Sequence, residues 1–119
     1  MIAGLELAGW SFSGLKRRES LVRICQAGCE ASELAAIRLG VSPPFARWLL
    51  RPLLVRCALT TAPLLVPFDL EGFLALHFDK VSAQTRLFLD DWLATAESEN
   101  RTAPALRELA AGLSRLDAN

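Results

Sequence analysis

Residues 69–98 read DLEGFLALHFDKVSAQTRLFLDDWLATAES, and they decide the fold class. This is the strongest periodic segment of the chain. Its spacing predicts one long helix from Leu70 to about Ser98, with Asp69 as its N-cap. The outward face carries Asp79, Arg86 and Asp90, the last two spaced for an i,i+4 ion pair. Within the helix, HFDKVSAQTR (77–86) holds the only histidine and one of the few lysines. At about 100° per residue, His77, Lys80, Gln84 and Asp91 fall within roughly 60° of one another, interleaved with Val81 and Phe88. Polar groups on a face that otherwise reads as apolar make this strip the candidate site.

Outward from this helix the signals stay helical. Glu19–Leu39 carries Leu21, Val22, Ile24, Cys25, Cys29, Ser32, Ala35, Ala36 and Leu39 on a helical repeat, and Gly40 follows as a stop. In VSPP, Ser42 can cap and Pro43 can open a segment reaching about Thr61, which Pro52 should kink or split. APLLVPF (62–68), with two prolines, reads as an extended connection. After SENRTAP comes a last helix, Pro104–Leu116, with Leu106, Leu109, Ala110 and Leu113 facing inward. Only LELAGWSF near the start is ambiguous, and it reads as a helix followed by a Gly/Ser turn. The expectation is an all-α single domain of about five helices spanning residues 1–119, with residues 1–18 irregular or truncated.

A chain of 119 residues can bury one core without disulfides or a structural metal. Thirteen Lys+Arg balance thirteen Asp+Glu, so charge gives no reason to expect nucleic acid or an anionic membrane as partner. Hydrophobic residues reach 52%, which calls for a membrane check. The uncharged run CALTTAPLLVPF (57–68) contains two prolines and falls short of the roughly 20 residues a spanning helix needs, so no membrane partner is expected. Cys25, Cys29 and Cys57 are odd in number and follow no signal peptide, the pattern of reduced thiols in a cytoplasmic protein. The charges are segregated all the same. Residues 34–68 hold Arg38, Arg47, Arg51 and Arg56 and no acid, whereas residues 69–99 hold seven acids against Lys80 and Arg86. Either these two segments pack as antiparallel neighbours with complementary rims, or they offer that complementarity to another domain or subunit.

Catalytic chemistry finds little support. Cys25 and Cys29 share a helix face, but a zinc site wants four ligands and neither Cys57 nor His77 belongs to a ligand pair, so the cysteines read as small buried core residues. The glycines are dispersed, with no phosphate-cradling cluster, and no serine sits in a strand-turn-helix elbow. Two readings of the strip stay open. It is a partly buried network satisfied by Lys80–Gln84 and Gln84–Asp91 contacts, or a set of contacts to a substrate or partner.

GLKRRESLVRICQAGCEASELAAIRLGV (14–41), the TAPALREL start of the last helix, and HFDKVSAQTR, which is similar to an HFTKVGDQTR-type helix, together resemble the C-terminal helical domain of ketopantoate reductase (2-dehydropantoate 2-reductase)-like proteins. The resemblance covers the chain from about Ser13 onward. It implies a helical domain of the 6-phosphogluconate dehydrogenase C-terminal-like kind, taken from two-domain NADP-dependent oxidoreductases whose nucleotide site and catalytic lysine lie upstream of it. The family's catalytic asparagine would fall near Ile2, yet no asparagine precedes Asn100; its substrate-binding serine and glutamate fall at Leu74 and Arg86. The resemblance therefore implies a detached or truncated substrate-binding and dimerisation domain, not catalytic alone. It would hold no cofactor or metal, and NADP would belong to a partner domain. The expected partner is a dinucleotide-binding domain or a second copy, touched through His77, Lys80, Gln84 and Asp91. The alternative is a helical protein-interaction module with no redox function.

Overall fold

The computed structural model describes residues 1–42 and 45–119, except for the side chain of Ala46. Among these residues every regular element is helical. They are α1 (Ile2–Leu7), α2 (Phe12–Leu15), α3 (Arg18–Leu39), a 3-10 turn (Phe45–Trp48), α4 (Pro52–Leu65), α5 (Leu70–Asp79), α6 (Ser82–Ser98) and α7 (Pro104–Asp117). The all-α expectation holds, with more and shorter helices than the five expected. The N-terminal residues are regular, since α1, α2 and the start of α3 lie within 1–18.

The helix α3 is the axis of the fold. It buries Leu21, Ile24, Cys25, Ala27, Leu34 and Ala36 and packs against α7, α6, α4 and α2. Its end is set by Gly40 in the left-handed region, where the Gly40 and Val41 amides donate to the Ile37 and Ala36 carbonyls. Leu39, expected on the apolar face, is instead exposed just before this stop. A five-residue back-bond of the same kind closes α1 (Trp10 amide to Leu5 carbonyl) and α6 (Arg101 amide to Ala96 carbonyl), with Gly9, Trp10 and Asn100 at positive φ. At Gly4, α1 meets α3 so closely that a Cβ would collide with Ile24.

The last helix buries Ala105, Leu106, Leu109 and Leu113, close to the expected face. Its N-cap residue, Ala103, has no side chain able to cap. Glu30 of α3 does that work, its two carboxylate oxygens accepting from the Ala105 and Leu106 amides at 3.1 and 2.9 Å. Pro104 at the first helical position has no amide to satisfy. Thus the orphan donors of α7 are met by a carboxylate that also favours the positive end of the helix dipole, and α7 is fastened to α3.

One local expectation holds and two are corrected. Pro52 does divide the expected segment, opening α4 at its first position after the 3-10 turn, but the Ser42–Pro43 start falls partly outside the described residues. APLLVPF is not extended throughout. Ala62–Leu65 stay helical with Pro63 in the last turn, where only one intrahelical hydrogen bond is lost, and the chain then turns by 104° into α5. The long helix from Leu70 is capped as expected, Asp69 accepting from the Gly72 amide at 3.2 Å, but it stops at Asp79. Val81, at φ −114° and ψ 18°, leaves the helix. Its amide reaches back only to Phe78, and its carbonyl starts α6 by accepting from Gln84 and Thr85. An unbroken helix of that length would run about 43 Å. The break lets α6 lie on α3 and α7 while α5 departs from them.

Most of the core lies among α1, α2, α3, α6 and α7, with Leu15 and Leu113 fully enclosed. The helix α4 adds Val55 and Leu59, and α5 buries no residue completely. The radius of gyration, 14.5 Å, exceeds the roughly 13.5 Å of a compact domain of this length, as expected when one region stands off the rest.

Candidate functional site

The break at Val81 runs through the strip, so one helix face does not carry its residues. His77 lies in the last turn of α5, Lys80 follows that helix, and Gln84 and Asp91 belong to α6. All four are exposed. No hydrogen bond or ion pair joins any two of them among the described residues, so the Lys80–Gln84–Asp91 network does not form. Helical periodicity brings the four together only on a straight helix, and Val81 removes that premise.

Each residue has its own surroundings. His77 stacks on Phe73, with ring centroids 5.8 Å apart and planes 11° apart, and meets Phe78 edge-on at 5.0 Å. Phe73 in turn meets Phe68 edge-on at 5.5 Å, which makes an aromatic row along α5. Asp91 receives Arg38 of α3 at 2.5 Å, an exposed pair and the one ion pair between the Arg-rich and acid-rich segments among the described residues. The two segments do not pack as antiparallel neighbours: α4 lies against α3. Gln84 lines a cavity of about 330 Å³ with Phe78, Val81, Phe88 and Trp92.

Arg86 is a second correction. Expected outside and paired with Asp90, it is half-buried and bonds Glu6 of α1 at 2.8 Å and Asp117 of α7 through two contacts of 2.5 and 2.6 Å. A further bond to the Ser82 carbonyl at 3.0 Å completes its set. These hydrogen bonds raise the Arg86 pKa, and the Arg86 bond holds the Asp117 carboxyl below its usual range. Arg86 thus joins α1, α6 and α7, with its donors engaged inside the protein. Leu74, the other position set by the family resemblance, is half-buried against the core.

The cysteines are not alike. Cys25 is buried, Cys29 half-buried and Cys57 exposed, so the expectation of three buried thiols fails at Cys57. Burial, then the neighbouring Cys29, push the Cys25 thiol pKa up. Among the described residues no three His, Cys, Asp or Glu side chains gather in a way that could hold a metal ion.

Sequence reasoning did not place the most conspicuous feature. From the 3-10 turn through α5 the surface is apolar: Phe45, Leu49, Leu53, Leu64, Leu65, Phe68, Phe73 and Leu76 are each more than half exposed, and Leu64 and Leu65 reach 80%. The signal was present as a concentration of leucine and phenylalanine too dense for two short helices with so little to pack against. No described helix is by itself long and apolar enough to cross a membrane, although α4 and α5 taken together are, with a bend of 104° between them. Compared with known proteins, the chain matches no family model, no curated protein and no solved structure.

Proposed function

We propose that the chain is a docking domain, one that seats the apolar surface of α4 and α5 against a partner protein and performs no catalysis alone. The observation that carries this reading is α5 itself: it buries no residue, yet carries Phe73 and Leu76 exposed beside Leu64, Leu65 and Phe68. An apolar patch of this extent on a soluble domain marks an interaction site. The resemblance of HFDKVSAQTR to the ketopantoate reductase-like helix supplies the class of partner, a dinucleotide-binding domain of an NADP-dependent oxidoreductase, with a second copy as the occupant when that domain is absent. His77 and Lys80 border the surface and are its polar contacts.

The test is sedimentation of the chain alone and with such a domain, for the wild type and for Leu65→Asp/Phe73→Asp. The wild type self-associates at micromolar concentration, the partner domain converts it to a mixed complex, and the double variant does neither while melting at the wild-type temperature. A wild-type chain that stays monomeric and ignores the domain would end this reading. Because α4 and α5 jointly have the length and composition of a bent membrane segment, flotation with lipid vesicles is the companion measurement. Binding to vesicles that depends on Leu65 and Phe73 would replace the protein partner by a lipid surface.

A further inference from the structure

A cavity of about 750 Å³ opens between α3, the end of the 3-10 turn and the start of α7. None of the exposed leucines of α4 and α5 lines it, although Pro52, the first residue of α4, does. Its floor is α3, which presents Val22, Cys25 and Cys29; Leu50 and Pro52 form one wall and Pro104 another. Leu50 holds the wall in place by resting on Gly28, where an added Cβ would come within 3.1–3.2 Å of the Leu50 methyls.

Two carboxylates, Glu30 and Glu33, and two guanidinium groups, Arg47 and Arg51, line this cavity, and following their bonds singles out Arg51. Both Glu30 oxygens are committed to the α7 amides. Glu33 is shared between Arg47 and Arg101, each at 3.4 Å. Arg51 has no carboxylate partner among the described residues, and its guanidinium lies over the Trp48 ring, 4.4 Å from the centroid. That stacking orients the guanidinium while leaving its N–H edge free to donate, the arrangement that suits a planar anion. A cavity with apolar walls, a few polar groups and this volume is of the size that holds a small organic ligand.

We propose that this cavity binds an amphipathic anion, a free carboxylic acid with an apolar chain, whose head meets Arg51 and whose chain lies along Val22, Cys29 and Pro104. Cys29 sits in the cavity and Cys57 does not, so the protein carries its own reporter and control. Decanoate is the probe. Alkylation by iodoacetamide is followed at each cysteine by mass spectrometry in the 119-residue chain. Decanoate at about four times its Kd slows Cys29 about fivefold and leaves Cys57 unchanged. Decyltrimethylammonium, with the same chain and opposite charge, leaves both unchanged. In Arg51→Met the decanoate effect falls below about twofold, while circular dichroism and melting stay as in the wild type, since the Arg51 side chain makes no capping bond to α4. Phosphatidylglycerol vesicles, which offer an anion that is not a free acid, leave Cys29 unprotected. Equal protection by the cationic amphiphile, protection by vesicles without protection by decanoate, full protection in Arg51→Met, or no protection at all would each overturn the assignment. Should Arg51→Met melt differently, Val22→Trp, which fills the floor of the cavity, takes its place: it too must abolish the decanoate effect.

Discussion

Leu113 and Leu65 are the same side chain in two different regions. Leu113, in α7, is fully enclosed among the helices around α3; Leu65, at the end of α4, is 80% exposed. The most apolar stretch of this chain is therefore not its core. Helices α3 and α7 spend their few apolar positions on one another and keep charged residues outside, whereas α4 and α5 are apolar on several sides with little to bury against. The difference shows that hydrophobicity states how much a segment needs covering and amphipathicity states whether the chain can cover it itself. The sharpest test compares Leu113→Ala with Leu65→Ala by urea denaturation. The first should cost about 3 kcal/mol through lost burial and a residual cavity; the second should change stability by less than about 0.5 kcal/mol. Equal losses would show that α4 packs inside the protein and would dissolve the distinction between the two regions.

The regions also differ in how they are fastened. On one side, Glu30 closes the start of α7 with two charge-assisted bonds; on the other, α4 begins after Arg51 with no side-chain cap at all. Replacing Glu30 with Ala should cost about 2 kcal/mol, because two helix amides lose a charged acceptor. Glu30→Gln should lose about half as much, since one oxygen remains to accept. Both are measured by the same denaturation series. An unchanged Glu30→Ala midpoint would mean that water replaces the carboxylate without loss.

The helical class, the whole of α3 with its stop at Gly40, the cap at Asp69 and the inward face of α7 were legible in the sequence, since each rests on a local signal: period, capping residue or glycine. The break at Val81 was not. HFDKVSAQTR contains neither proline nor glycine, and a β-branched residue inside a periodic run is tolerated in many helices. What decides is tertiary, namely that α6 gains the α3 and α7 surfaces by turning away from α5. The candidate strip failed for the same reason, since its four residues share a face only on a helix that does not bend in its middle. At Arg86 an i,i+4 neighbour, Asp90, is visible in sequence, whereas Glu6 and Asp117 come near only after folding. The exposed apolar surface had a compositional signal, but composition does not say which face is covered.

The Arg86 cluster gives the comparison a pH dependence. Asp117 has its pKa lowered in the folded state, chiefly by its hydrogen bonds from Arg86. A depressed carboxyl pKa contributes stability that is present above the unfolded value, about 3.9, and is lost as pH falls through the folded value. The melting temperature of the wild type should therefore exceed that of Asp117→Asn at neutral pH, and the two should converge on acidification below about pH 4. A gap that persists at low pH would assign the Asp117 effect to packing of the last turn of α7 and not to its charge.

The mildest test changes no residue. Cys25 belongs to the buried core and Cys57 to the exposed part of α4, with Cys29 between them at the cavity. Reaction with a maleimide requires the thiolate and a path to it. Cys57 has the path, while burial at Cys25 both blocks the reagent and raises the thiol pKa. Under native conditions the order should be Cys57 first, Cys29 next, and Cys25 only on the timescale of opening of the helices around α3. Raising the pH should leave that order unchanged. The region-specific expectation is that mild urea, below the global midpoint, alters the Cys57 rate little and brings Cys25 up only as the whole domain unfolds. If Cys25 and Cys57 react together under native conditions, α3 is not a protected core and the division between the two halves of the molecule is lost. If Cys57 is protected in the concentrated protein and exposed on dilution, α4 is covered by a second copy, which ties the exposed leucines to self-association.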